Sequence, residues 1–262
     1  MSDIDTTPTS ELAQAKGLEG YGSLEKGISG DYAFAVGDVI SEAWEKTNGA
    51  KAPIIAGSAI YTVVYLVIVL LLFALAVVLG LDQAVDPNVT MESASANPVL
   101  EILFTLAEQV LLPILVTPVM VGIYLLGLRR AVDAPISGGS VLNYYDKIGP
   151  LAITLILMYL MVFIGLILLI LPGIYLAIAY CMAYLLVVEK GLTPWEALEA
   201  SRKAITHRWF AVFGLMILIA LINLVAMIPL GIGLIWSVPF SVIAFGILYR
   251  NIFGCEAQTL AS

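Results

Sequence analysis

Between Ile54 and Tyr249, long uncharged runs alternate with short polar segments, and the run lengths predict the architecture. Ile54 to Leu81 holds 28 residues without a charge. As a helix it would extend about 42 Å, against a hydrocarbon core of roughly 30 Å, so it predicts a first, tilted span. Asp82 to Pro98 is a polar loop. The next run, Val99 to Leu128, carries Glu101, Glu108 and Gln109 near its start and Pro113 and Pro118 later. The expectation there is an interfacial approach over 99–109 and a second span from Val110 to Leu128, stopped by Arg129 and Arg130. Pro150 to Val188 has 39 uncharged residues, about 58 Å of helix and too long for one crossing. Leu171-Pro172-Gly173 is the strong breaker inside it and predicts a tight hairpin, spans three and four. Trp209 to Tyr249 gives 41 more, broken at Pro229 to Gly233 into spans five and six.

The polar segments between these runs carry helical periodicity. Val36, Val39, Ile40, Ala43 and Trp44 recur on one side, with Asn48-Gly49 as a stop. Glu189 to Trp209 holds the clearest helix start: Thr193 caps, Pro194 suits the first helical position, and Glu196 completes a capping box. Trp195, Leu198, Ile205 and Trp209 form its apolar side. Ser140 to Gly149 is a weaker third case. All three predict helices lying flat at the bilayer surface.

The basic residues fix the orientation. Six spans divide the chain so that all 12 Lys and Arg fall on one side, which the positive-inside bias makes the cytoplasm. The composition agrees: 61% of residues are hydrophobic and 12% charged, where a soluble domain carries about 25% charge. The fold expected is therefore all-α: a polytopic membrane protein with six transmembrane helices as three hairpins and cytoplasmic interfacial helices. Residues 1–33 lack apolar periodicity and predict a disordered cytoplasmic tail. Residues 34–254 form the six-helix membrane domain, and 255–262 a short cytoplasmic tail.

An internal repeat runs through this domain. Each of three units is a polar segment, a span, a return and a second span. Trp44-Glu45-Lys46, Tyr145-Asp146-Lys147 and Ser201-Arg202-Lys203 occupy similar places. Pro118 and Pro239 each precede an arginine, Arg129 and Arg250, by 11 residues, with Val121 and Val242 three residues after each proline.

Leu171-Pro172-Gly173-Ile174-Tyr175-Leu176, then Val187-Val188-Glu189-Lys190-Gly191-Leu192-Thr193-Pro194-Trp195-Glu196-Ala197-Leu198, carry a family resemblance. Ser201-Arg202-Lys203, Arg208-Trp209, Val36-Gly37-Asp38 and Ala43-Trp44 continue it. Over residues 32–254 the chain resembles the poorly characterised bacterial integral-membrane proteins related to the membrane domain that accompanies some glycerophosphodiester phosphodiesterases. The resemblance implies six helices in a bacterial inner membrane and no settled activity. The phosphodiesterase domain itself is absent from this sequence.

Candidate chemistry is sparse. Cys181 and Cys255 have no zinc or disulfide spacing, His207 is the single histidine, and no phosphate loop or nucleophile elbow appears. No cofactor and no nucleic-acid partner is expected. Glu101 and Glu108 are the acids with a claim to membrane depth, as a proton or substrate site or simply as hydrated interfacial groups. Asn223 reads as an interhelical hydrogen bond before it reads as a ligand contact. Tyr61, Tyr65, Tyr124, Tyr175, Tyr180 and Tyr184 read as helix packing or an aromatic belt before they read as the lining of a cavity. Ala179-x3-Ala183 and Ser237-x3-Ser241 permit close helix approach. Arg202, Lys203 and Arg208 are candidates for anionic lipid headgroups, beside a plain topological role. The reading is a non-enzymatic bacterial inner-membrane scaffold or accessory factor that organises lipid or a partner membrane protein, including a second copy of itself. The alternative is a small transporter or lipid-handling protein with a path between the hairpins.

Overall fold

The computed structural model describes residues 21–79, 98–257 and 259. The Asp82–Pro98 loop and residues 1–20 of the expected tail lie outside these, Pro98 excepted as the first residue of a helix. The described residues form helices α1 (Leu24–Ser29), α2 (Val36–Thr47), α3 (Lys51–Val78), α4 (Pro98–Ala131), α5 (Ile148–Leu168), α6 (Ile170–Ala179), α7 (Ala183–Glu189), α8 (Pro194–His207), α9 (Trp209–Met227) and α10 (Leu234–Phe253). Six segments are long and apolar enough to cross a membrane: α3, α4, α5, α6 with α7, α9 and α10. The chain is an all-α polytopic membrane protein.

Where the break between two spans is set locally, it falls close to the sequence signal. Leu230 and Gly231 take φ 53° and 79° between α9 and α10, where Pro229 to Gly233 predicts the turn. The α5–α6 bend differs in detail. It lies at Leu169, which is extended at φ −161° and ψ 140°. Pro172 sits in the first turn of α6 instead, where its missing N–H costs nothing. Gly165 and Gly173 then let the two arms touch, since a Cβ at Gly165 would meet the Gly173 backbone at 3.0 Å.

The expected split of the second apolar run does not occur. α4 is one helix of 34 residues with Pro113 and Pro118 inside it. The Thr117 hydroxyl donates to Pro113 O at 2.7 Å and the Tyr145 hydroxyl to Leu115 O at 3.2 Å, beside the interrupted ladder. Such added donors let a proline persist within a span. The Ser140–Gly149 segment is also not an α-helix of its own, its last two residues opening α5. It forms two 3-10 turns, Gly138–Leu142 and Tyr145–Lys147.

The three units pack in a cycle. In each, the leading segment docks on the second span of the preceding unit. α2 lies along α10, with Trp44 edge-on to Phe240 at 6.0 Å. The first 3-10 turn lies on α4, where Gly122 makes room for the Val141 backbone. α8 lies along α6 and α7, with the Ser201 hydroxyl donating to Ala179 O at 2.7 Å. The second spans therefore form the inside. Spans two, four and six have 50, 44 and 67% of their most apolar window buried, against 0, 22 and 11% for spans one, three and five. α4 and α10 make the closest pair, since a Cβ at Gly246 would collide with the backbone of Gly127 and Leu128.

This packing corrects the surface-helix expectation. The periodic apolar faces of α2 and α8 are mostly turned into the protein, while Trp44 and Trp195 stay exposed. Leu198 and Ile205 are buried, and Leu198 sits among Leu157, Met158, Met161, Val162 and Leu176 of the span three–four hairpin. Ala197, Ala200, Ser201 and Ala204 are the physical reason, because small residues allow α8 to approach a neighbouring backbone closely. Ser201 also accepts from Met182 N at 3.2 Å, so its hydroxyl serves both sides of the α6–α7 break.

Residues 21–33 correct the expected tail. Ser23 caps α1 through Lys26 N, and Gly30 ends it at φ 80°. The segment docks between α8 and α10: the Tyr32 hydroxyl donates to Ala204 O at 2.8 Å, and Gly22 N–H donates to Arg250 O at 3.2 Å. Burial pushes the Tyr32 phenol up to about 12, so it stays a donor.

Candidate functional site

The buried hydrophobic core lies in the half of the bundle that carries the basic residues, and the buried glycines Gly165 and Gly173 at the α5–α6 bend stand apart from it. No described residue is buried in α3 beyond Gly57, in α4 before Val116, in α9 beyond Leu215 or in α10 before Ser237. Chemistry therefore divides between a packed, charged end and an open, apolar half.

At the packed end the helix termini are tied by ion pairs. Glu189 closes α7 with its side chain fully buried. It accepts from the Tyr249 hydroxyl at 2.9 Å, from Glu256 N–H and from the Thr259 hydroxyl at 3.4 Å. Lys190 Nζ lies 3.4 Å from Glu189 and 2.7 Å from Glu256. A carboxylate taken out of water persists only with several partners of this kind. Cys255 lies against this cluster, and burial pushes its thiol up to about 12, which keeps it un-ionised and a poor nucleophile. Arg250 grips Glu42 on α2 and also donates to Ala131 O at 2.6 Å at the end of α4. The Tyr21 ring covers its guanidinium at 4.4 Å. Apart from the pair of chain neighbours Glu189 and Lys190, these contacts join separate segments, so the arrangement holds the units together. The sequence hinted at it only through the matched Arg129 and Arg250; Glu189 and Glu42 carry no local sign of their tertiary partners.

The sequence-derived candidates scatter. Arg202 binds Glu199 with Nε at 2.9 Å and Nη2 at 2.8 Å, and Lys203 lies 3.4 Å from the same carboxylate. The Arg202 hydrogen bonds hold the Glu199 carboxyl below its usual range. Arg208 Nε donates to Tyr32 O at 3.2 Å. So each proposed headgroup cation already has a protein partner. Asn223 bridges spans five and six: it donates to the Ser241 hydroxyl at 2.7 Å and accepts from Ser237 at 2.8 Å. This is the interhelical role, and it also explains the Ser237-x3-Ser241 pair. Ala179 and Ala183 are likewise buried, beneath α8. Glu108 is half-buried on α4, in the half of span two without a core. The side chain of Glu101 lies outside the described residues. No described hydrogen bond joins Glu108 to Asn223 or to the basic cluster.

The tyrosines separate into two groups. Tyr175 and Tyr180 serve the α8 contact: the Tyr175 hydroxyl lies 2.5 Å from Thr206, and Tyr180 packs beside Leu198. Tyr61 on α3, Tyr124 on α4 and Tyr184 on α7 lie within electrostatic reach of one another, as does Tyr159 of α5 with Tyr61 and Tyr184. Tyr61 and Tyr65 stack at 6.4 Å. Tyr159 was not singled out in the sequence, because a lone aromatic in an apolar run gives no periodic signal.

No protein-family model, no curated protein and no solved structure matches the chain.

Proposed function

We propose that this is a non-enzymatic scaffold of a bacterial inner membrane, with both termini in the cytoplasm, that organises lipid around three radially arranged hairpins. The observation that carries the reading is the division of the bundle. The basic half is packed and cross-tied, while the outer spans of the other half bury almost nothing against one another. Hairpins tied to one another at the basic end, with the first spans little buried beyond it, leave lateral openings at membrane depth, which lipid or a neighbouring helix fills. The resemblance in the span-four to span-five region supports the bacterial inner membrane, and the one-sided basic residues support the orientation.

The test is purification into nanodiscs followed by intact-mass measurement. A scaffold of this kind retains a fixed number of lipids, or one partner chain, per copy. Recovery of a fully stable chain with no retained lipid and no partner would overturn the proposal. The rival reading, a transporter or lipid-handling protein with a path between hairpins, gives a different result. Proteoliposomes would then show protein-dependent movement of a labelled lipid or solute between leaflets.

A further inference from the structure

The five tyrosines of the first four spans form a cleft with its own chemistry. α3 and α5 both rest on α4 yet scarcely approach each other, which leaves a gap on the outside of the bundle. Beside this gap the phenols of Tyr61 on α3, Tyr124 on α4, Tyr159 on α5 and Tyr184 on α7 lie within electrostatic reach of one another, and Tyr65 stacks on Tyr61 at 6.4 Å. Tyr65 and Tyr159 are 39% and 52% exposed, so the gap opens sideways toward the bilayer.

The phenols are spread over depth. Tyr124 and Tyr184 stand five residues before Arg129 and Glu189, about 7.5 Å along their helices. Tyr61, Tyr159 and Tyr65 stand 10, 12 and 14 residues beyond Lys51, Lys147 and Lys51, about 15, 18 and 21 Å along theirs. The row runs from near the packed end to the middle of the membrane.

Hydrogen bonding sets these side chains apart. The hydroxyls of Tyr32, Tyr145, Tyr175 and Tyr249 are each bonded to a protein oxygen. Among the described residues, none of the five in the cleft has such a bond. A hydroxyl in hydrocarbon without a partner is unfavourable, so five in one gap favour a guest that brings oxygen atoms. That guest is uncharged at the contact. Residues 52–79, 110–128 and 148–188, which supply the cleft, contain no Lys, Arg, Asp or Glu, and a bare phosphate or ammonium would meet no counter-charge.

We propose that this cleft binds a neutral glyceride-type amphiphile, whose hydroxyl and ester oxygens hydrogen-bond the tyrosines while its acyl chains leave through the gap between α3 and α5. The inference rests on the lipid-organising reading only in drawing its ligand from the bilayer.

The experiment uses the full chain in phosphatidylcholine nanodiscs containing a few per cent of a diacylglycerol with a photoreactive acyl chain. The expected adducts map to residues 51–78 and 148–168, and unlabelled diacylglycerol competes for them. Tyr61→Phe, Tyr159→Phe and Tyr184→Phe combined keep the rings but remove three hydroxyls, and should cut labelling about tenfold. Tyr175→Phe, outside the cleft, should leave it unchanged. Wild-type melting temperature in the triple variant separates lost binding from lost folding. The proposal is overturned if the triple variant labels like wild type. It is equally overturned if a photoreactive phosphatidylcholine labels the same residues as strongly, which would mark ordinary surrounding lipid. Either failure leaves the fixed lipid ratio of the scaffold test standing, so the two ideas fall separately.

Discussion

Glu42 and Arg250 are joined by two parallel hydrogen bonds of 2.7 and 2.8 Å although 208 residues separate them. Through this pair the first helix of the first unit is locked to the last span of the third, and the Ala131 carbonyl brings in the second span of the first. The Arg250 side chain is 7% exposed, so a lone cation left there is poorly hydrated. Glu42→Gln should therefore lower stability by about 1–3 kcal/mol. Arg250→Lys should cost a similar amount, because an ammonium cannot reproduce the fork. Apparent melting in detergent reads both. If a double-mutant cycle gives additive losses, the two residues are not coupled.

A second prediction concerns the α4–α10 crossing. Gly246→Ala forces a methyl group against the Gly127 and Leu128 backbones, which cannot yield as a side chain can. The expected result is a loss of about 1–3 kcal/mol or of assembly. Gly214→Ala on α9 is the control. A Cβ there meets nothing within 4 Å, and alanine in mid-helix should be neutral or stabilising by up to about 1 kcal/mol. The readout is the yield of monodisperse protein. Equal yields would mean that the two spans are not so close.

Span number, the Pro229 to Gly233 turn and the start of α8 were legible because each is decided locally, by run length, backbone preference or a capping residue. The environment of an apolar face was not. Leu198 and Ile205 have the same periodicity whether they meet acyl chains or another helix, since both surroundings are apolar. The pointer was the set Ala197, Ala200, Ser201 and Ala204, which suits close backbone packing better than a lipid surface. The length of the second apolar run, its acids Glu101 and Glu108 and its prolines suggest a split, but a helix satisfies its own backbone whatever its side chains do, and α4 runs on as one. α1 was missed because six residues are too few for a period, although Ser23 and Gly30 were its caps. The tyrosine cleft exists only through the tertiary approach of four spans. Its members could be named singly, but not as a group.

The α8 contact yields a third prediction. Leu198 is 1% exposed and Trp195 57%. Leu198→Glu would place a carboxylate among Leu157, Met158 and Met161 without a partner, a cost on the order of 3 kcal/mol or more. Trp195→Glu should change stability by less than about 1 kcal/mol, as expected of a surface position. Limited proteolysis after Lys203 reports release of the helix. If both variants are equally protected, α8 is not held by Leu198; if both are equally cut, bilayer contact through Trp195 matters as much as protein contact.

The last prediction tests whether Arg202 and Lys203 are available to lipid headgroups. At neutral pH they share Glu199, whose carboxyl the Arg202 hydrogen bonds hold below its usual value. A depressed carboxyl pKa means the pair's contribution is complete above the ordinary carboxylate range and disappears as pH falls through the lowered value. The cations are therefore engaged at pH 7 and released only in acid. Glu199→Gln should release them at pH 7, adding about 1 kcal/mol of attraction to anionic headgroups per cation. The co-purified lipid should then be enriched in phosphatidylglycerol several-fold over wild type at low ionic strength. At 0.5 M salt the difference should shrink, because screening shortens the reach of exposed charge. Arg202→Gln with Lys203→Gln, added to Glu199→Gln, should abolish the enrichment. Identical lipid content in wild type and Glu199→Gln at low salt would show that these residues do not face headgroups at all.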